Sequence, residues 1–222
     1  MQFNKQEKEA IYKVIKERRD MRHFVSDPVP DDVLKRLMMA VTQAPSVGYM
    51  QPWRFIRITS NDLRGGIYDM VKHEIEETAS HVGDRKSDYM KLKLEGINEC
   101  AELWVAALME GREAYVLGRR TMPEMDLASL SCAIQNIWLA ARAEGIGVGW
   151  VSFFKPDQLA ELLGMPDGSY PAAVLCIGNV ETFYPEPLLK TEGWDKEKML
   201  EQVVYENTWG NPCDLIKTSD ST

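Results

Sequence analysis

The sequence is short of most of the residues that would announce a metal, a disulfide scaffold or a nucleic-acid partner. It holds only three histidines, His23, His73 and His81. None pairs with a cysteine or another histidine at a ligand spacing, so a structural or catalytic metal is not expected. Its four cysteines, Cys100, Cys132, Cys176 and Cys213, are scattered without a C-x-x-C pair. Cys132 and Cys176 lie in apolar runs, where a free thiol packs as a small hydrophobe. Positive charge is also in deficit. A formal net charge of -8 disfavours nucleic acid and anionic membrane surfaces as partners. A small anionic ligand then needs a local arginine cluster, which makes the placement of the cations more informative than their number. No apolar stretch approaches a membrane span. With no secretory leader pattern, the expected compartment is a reducing cytoplasm. P-loop and G-x-S-x-G signatures are missing as well.

What is present describes one globular domain. At 222 residues, 45% hydrophobic and 27% charged, the chain suits a single substantial core. Asn4 and Glu7 form a capping-box pattern, followed by an apolar stripe of Ala10, Ile11, Val14 and Ile15. This predicts a helix reaching about Arg18 and Arg19. A second helix is expected from Pro30, with Asp31 and Asp32 in its first turn and a buried face of Val33, Leu34, Leu37, Met38 and Val41. Ala44 to Pro52 reads as a loop, Trp53 to Ile58 as a strand, and Asn61 as the start of a helix. The charged stretch from Glu74 to Lys93 reads as a lid-like segment. Leu103 to Met109, Val148 to Phe154 and Ala172 to Ile177 read as strands. Leu127 to Glu144 reads as a long apolar helix stopped by Gly145, and Asp157 to Leu163 as a short one. Residues 1–210 are expected to form one domain. Residues 181–210 form a C-terminal arm with little core of its own, which suits burial against a partner subunit. Residues 211–222 read as a flexible tail.

Several segments carry candidate chemistry. Arg18, Arg19 and Arg22 close the first helix, and positions 18 and 22 share a face if the helix persists. Guanidinium forks there suit a phosphate. Taken alone, the cluster reads first as cations at a negative helix terminus. Asp20, within the same run, is either their salt-bridge partner or a proton-transfer group. The loop from Ala44 to Trp53 brings the Ser46 hydroxyl and small residues that permit close approach. The run Gly145-Ile146-Gly147-Val148-Gly149-Trp150 is not a dinucleotide fingerprint, because its glycines follow a helix and lead into a strand. Ser152 stands near the end of that strand, where a lone serine is more often structural.

Together these segments resemble the nitroreductase-like flavoproteins, and within them the BluB family of 5,6-dimethylbenzimidazole synthases. The resemblance rests on Arg18-Arg19-Asp20-Met21-Arg22-His23-Phe24, on Asp27-Pro28-Val29-Pro30, and on the loop Ala44 to Trp53. It continues through Leu92 to Ile97, Val116 to Arg119 and Pro123 to Asp126. Gln135-Asn136, Leu139 to Gly145 and Gly149-Trp150-Val151-Ser152 complete it. Two features separate it from ordinary nitroreductases. Asp20 stands where those usually carry serine, and Tyr49 follows Gly48 where asparagine is common.

The resemblance implies an α+β fold with a mixed, mainly antiparallel central sheet flanked by helices. It implies an arm-exchanged homodimer with FMN at the interface. By the same resemblance, Arg18, Arg19 and Arg22 hold the FMN phosphate and ribityl chain, with Asp20 and Met21 in the same segment. Ser46 adds a contact, Leu92 lines a lid, and Trp150, Val151 and Ser152 face the isoalloxazine. Catalysis is assigned to Asp20 for proton transfer and to Ser152 for orienting the ring. The arm offers Asp195, Lys196, Glu197 and Lys198 where relatives often have arginines, so no phosphate contact is assigned there. The implied reaction fragments reduced FMN with O2 to 5,6-dimethylbenzimidazole and erythrose 4-phosphate. Reduced flavin then comes from a separate NAD(P)H-dependent reductase. Two other readings stand beside it: a conventional NAD(P)H nitroreductase or flavin reductase, and a non-enzymatic FMN-binding protein.

Overall fold

The computed structural model describes residues 2–216. Eleven regular elements follow one another in the order α1 (Lys5–Glu17), α2 (Asp31–Thr42), β1 (Trp53–Ile58), α3 (Asn61–Ala79), α4 (Lys86–Tyr89), β2 (Glu102–Leu108), α5 (Met125–Ala143), β3 (Gly147–Val151), α6 (Pro156–Leu162), β4 (Tyr170–Gly178) and α7 (Leu188–Thr191). The four strands form one sheet in the order β1-β2-β4-β3, and each neighbouring pair is antiparallel. Among the described residues, the parallel component of the expected mixed sheet is a single bridge, Asp20 to Val148.

Side chains on a strand alternate between faces, and the central strands use both. From β2, Trp104, Ala106 and Leu108 point to the core shared with α2 and α5, while Leu103 and Val105 join the core under α3 and α6. Strand β4 divides in the same way, with Ala173, Leu175 and Ile177 on one side and Val174 and Cys176 on the other. Coverage of both faces is why these strands read as unbroken apolar runs. A register shift between Ala106 and Ala107 takes up one extra residue of β4.

Three local expectations are corrected. Helix α1 keeps its Asn4–Glu7 capping box but ends at Glu17, because Arg18 is already extended at φ -60°, ψ 135°. Arg18 and Arg22 therefore share no helical face. Met38 on α2 is exposed, since only Val33, Leu34, Leu37 and Val41 turn inward. The stretch from Glu74 to Lys93 is no uniform lid: its first part continues α3 to Ala79, and α4 follows. Charge density hid a helix whose inner positions are Ile67 and Val71.

The chain divides into two compact units, residues 1–185 and 186–222. In the second, Lys190 of α7 pairs with Glu186 and Glu197 at 2.9 and 3.2 Å, and Tyr205 bridges to Pro212. The expected tail, 211–222, thus begins inside a bridge and a short 3-10 turn at Asp214–Ile216; its residues from 217 onward lie outside the described residues.

Candidate functional site

The segment after α1 is laid along the outer edge of the sheet beside β3. Met21 N–H donates to the Val148 carbonyl at 2.9 Å, and four residues later Val25 N–H donates to the Asn179 carbonyl at 2.9 Å, just past β4. Two glycines of β3 make this approach possible. A methyl at Gly149 would collide with the Met21 carbonyl oxygen, and one at Gly147 would stand 2.6 Å from Val180 and 3.2 Å from Met21. Gly96 plays the same part from the other side, where an added Cβ would lie 2.8 Å from the Arg22 carbonyl. The G-x-G-x-G run is therefore a seat for the arginine segment and not a nucleotide loop.

Within that seat Asp20 is the junction. Its Oδ1 accepts from Trp150 N–H at 2.9 Å and its Oδ2 from Arg22 Nη2 at 2.6 Å; Arg22 Nη2 also donates to the Trp150 carbonyl at 2.8 Å. Burial pushes the Asp20 carboxyl above its ordinary range, against the opposing pull of Arg22, the Trp150 N–H and Arg18. The salt-bridge reading of Asp20 is realised here, through Arg22. Met21, between them, is fully buried and contributes packing beneath β3.

The three arginines are held differently. Arg18 lies with its guanidinium 4.6 Å from the centre of the Trp138 ring, half buried, and loss of water lowers its pKa. Arg19 spends both Nη atoms on carbonyls, those of Lys16, Arg18 and Pro185 at 2.7–2.8 Å. Arg22 is buried. Arg19 Nε and Arg22 Nη1 are enclosed without a hydrogen-bond partner. Leaving a buried donor unmet costs about 1–3 kcal/mol, more when it is charged. An oxygen-rich anion fits these atoms.

Two supports were not singled out in the sequence. Trp138 Nε1 donates to the Arg19 carbonyl at 2.9 Å, and Arg142, one turn further along α5, donates to the Glu17 carbonyl at 3.1 Å and its carboxylate at 2.7 Å. Arg142 thereby caps the end of α1 and also lies 4.1 Å over the Phe183 ring. The signal available was their i, i+4 spacing on an apolar helix.

The remaining candidates are carried by other elements. Ser152 sits exposed, one residue past β3, while Val151 is buried in the core under α3 and α6. Trp150 is half buried and stacks 6.2 Å from Trp138. Ser46 Oγ accepts from Gln51 N–H at 3.0 Å and closes the loop back on itself. That loop places Tyr49 (φ 56°) and Gln51 (φ 52°) in the left-handed region, a strain of about 1–3 kcal/mol each that clusters at functional sites. Leu92, half buried, follows α4 and donates its N–H to the Tyr89 carbonyl at 3.0 Å.

Residues 15–179 match the model of the nitroreductase family. The chain belongs to the nitroreductase family. It is 39% identical, over 82% of its own length and 87% of the relative's, to 5,6-dimethylbenzimidazole synthase of Rhodospirillum rubrum. The same enzyme of Rhodobacter capsulatus is 36% identical over 88% of this chain and 96% of that one. These relatives make the chain an enzyme of the nitroreductase superfamily. Its fold matches that of oxidized iodotyrosine deiodinase bound to FMN and 3-iodo-L-tyrosine, with a TM-score of 0.71 at 19% identity, covering 90% of this chain and all of the other. Within this nitroreductase frame, Asp20 is bound to both the arginine segment and β3.

Proposed function

We propose that this nitroreductase-family enzyme takes reduced FMN and O2 and fragments the flavin to 5,6-dimethylbenzimidazole and erythrose 4-phosphate. The observation that carries the reading is Asp20, a carboxylate held between Arg22 and the Trp150 N–H with a raised pKa. It stands in a chain 39% identical to a synthase of that name. Bound reduced FMN supplies the electrons for O2 and is itself the molecule cleaved.

The residues supply the rest. Arg18 and Arg22 hold the phosphate and ribityl chain through guanidinium forks, with the unmet Nη1 of Arg22 as the buried donor. Arg19, committed to three carbonyls, fixes the turn that presents them. Asp20 accepts and returns a proton beside the ribityl chain; its raised pKa places it closer to the working range of an acid-base group. Trp150 walls the ring side, Ser152 orients the ring by hydrogen bonding, Ser46 adds a polar contact, and Leu92 covers the opening against water.

A second copy of the chain completes the molecule in this reading. Helix α1 buries none of its residues, and Ile11, Tyr12 and Ile15 are exposed along its apolar side, which suits burial in a homodimer with exchanged arms. A separate NAD(P)H-dependent reductase delivers reduced flavin. The enzyme works in the cytoplasm; no helix among the described residues is long and apolar enough to cross a membrane.

The test is direct. Protein mixed with chemically reduced FMN and exposed to air yields 5,6-dimethylbenzimidazole on chromatography, in proportion to flavin lost. Turnover of NAD(P)H against an organic acceptor with the flavin conserved would assign the chain to the conventional nitroreductases instead.

A further inference from the structure

Helix α5 turns one aromatic side chain toward the arginine segment, and two different groups of that segment rest on it. Trp138, buried, donates its Nε1–H to the Arg19 carbonyl at 2.9 Å, which fixes the indole against the turn. Trp150 of β3 packs on it with ring centres 6.2 Å apart and planes at 37°, so the indole is held from the sheet as well. Arg18 is already extended, and its guanidinium carbon lies 4.6 Å from the centre of the same ring. Attraction to the negative face of a ring needs no oxygen acceptor, so it leaves the guanidinium donors unspent. Among the described residues no oxygen accepts a hydrogen bond from the Arg18 side chain and no ion pair claims it. Its neighbours differ. Arg19 is committed to three carbonyls, and Arg22 gives Nη2 to Asp20 and the Trp150 carbonyl. Arg18 is held by a surface, with its fork free for a ligand.

We propose that Trp138 is a positioning residue that presents the Arg18 guanidinium to the flavin phosphate and thereby sets the preference of the site for FMN over riboflavin. The inference rests on the reading that FMN binds at the arginine segment, and it adds to that reading the residue through which the phosphate is selected. A mobile arginine gives up side-chain freedom when it grips a ligand, whereas one already seated on an indole has little left to lose. That gain reaches only a ligand that carries the phosphate. Burial has also stripped water from Arg18, lowering its pKa against the pull of Asp20, and an anion paired with it restores what burial removed. Trp138 touches the flavin through neither its ring nor its N–H in this arrangement; it acts through Arg18.

A flavin-binding cycle tests this without turnover. Dissociation constants for oxidised FMN and for riboflavin are measured by flavin fluorescence on full-length wild type, Trp138→Leu, Arg18→Met and the double variant, each checked for folding by circular dichroism. Loss of the aromatic seat is expected to weaken FMN binding about tenfold and to leave riboflavin binding within about twofold. In the Arg18→Met background, Trp138→Leu then has no further effect on the FMN-to-riboflavin ratio, because the indole acts only through Arg18. Trp138→Phe keeps an aromatic face of weaker attraction, so its ratio falls between those of wild type and Trp138→Leu; it carries the test alone if the leucine variant does not fold. An unchanged ratio in the Trp138 variants, equal weakening of both flavins, or the same change with and without Arg18 would overturn the proposal. A wild type that binds FMN no better than riboflavin, or binds neither, overturns it as well. If the cycle behaves as expected but reduced FMN and air give no 5,6-dimethylbenzimidazole, the proposed reaction falls and the role of Trp138 stands.

Discussion

Asp20 holds a turn together and, in the proposed reaction, is also the group on which the chemistry depends. Its two oxygens take different donors, so replacing it with asparagine keeps the shape and one acceptor while removing the titratable proton. Asp20→Asn is expected to bind FMN and to lose 5,6-dimethylbenzimidazole formation by about 10²–10⁴-fold, measured by chromatography against flavin binding by fluorescence. The same variant has a pH signature. In the wild type the folded carboxyl binds its proton more tightly than the unfolded one, chiefly through burial. Stability therefore falls as pH rises from about 3.9 through the folded-state value, where the unfolded chain has already released its proton. Asn carries no proton to release, so the stability difference between variant and wild type shifts in favour of the variant across that window. Urea unfolding at stepped pH, without flavin, measures it; a shift in the opposite direction would mean that Arg22 outweighs burial. At this scale the sequence offers candidate residues without showing how they are held. Arg18, Arg19 and Arg22 are legible as a cluster of cations, but Arg19's commitment to carbonyls depends on where Pro185 lies, 166 positions away. Glycines 147 and 149 were visible as an unusual run, yet their purpose is a neighbour's backbone. Gly149→Ala sets a methyl against the Met21 carbonyl and is expected to cost about 1–3 kcal/mol of stability, together with FMN affinity, by thermal unfolding with and without flavin.

Among the elements, α5 does the most to organise the site, and it does so at both ends. At its C-terminal half Trp138 and Arg142 grip the turn after α1. At its first turn Asp126, 4% exposed, accepts from Arg112 Nε at 3.0 Å and from Arg119 Nε at 3.0 and 2.9 Å. This triad pins the segment between β2 and α5, and Arg112 also donates to the Met109 and Gly168 carbonyls. Removing one member of a buried ion pair strands its partners, so Asp126→Ala is expected to lose about 3–5 kcal/mol in denaturant unfolding. Asp20→Asn, made in the same background, should add to this loss with little coupling, since among the described residues no side-chain bond joins the two sites and they act on opposite ends of α5. Element identity is largely readable in the sequence, because β1, β2, β4 and α5 are apolar runs of the right length between clear stops. The errors have a common cause. Helix α3 runs on through charged positions that suggest a lid, and α1 stops short of the arginines, because both are charged helices whose ends are decided by tertiary contacts, by Arg142 at Glu17 in the case of α1. Met38 was placed inward because an apolar residue at the edge of a stripe is indistinguishable in sequence from one at its centre.

For the whole molecule, the open question is what covers α1. A 13-residue helix with a capping box at its start, an arginine on its last carbonyl and no buried residue is well terminated but poorly packed. Isolated helices of this length are marginal in water, so its stability has to come from an apolar partner surface. In the proposed homodimer a second copy of the chain would meet that need, next to the arginine turn, because α1 runs directly into Arg18. The paired substitution Ile11→Lys with Ile15→Lys places two cations on that stripe without touching the capping box, Arg142 or the sheet core. Light scattering after size exclusion is expected to show a dimer for the wild type and a monomer for the double variant, and helix content by circular dichroism should fall slightly as α1 frays. If the dimer orders the turn, FMN affinity falls with it, while the Asp126 triad and the sheet keep the monomer folded. A double variant that remained dimeric with full FMN affinity would remove α1 from the interface.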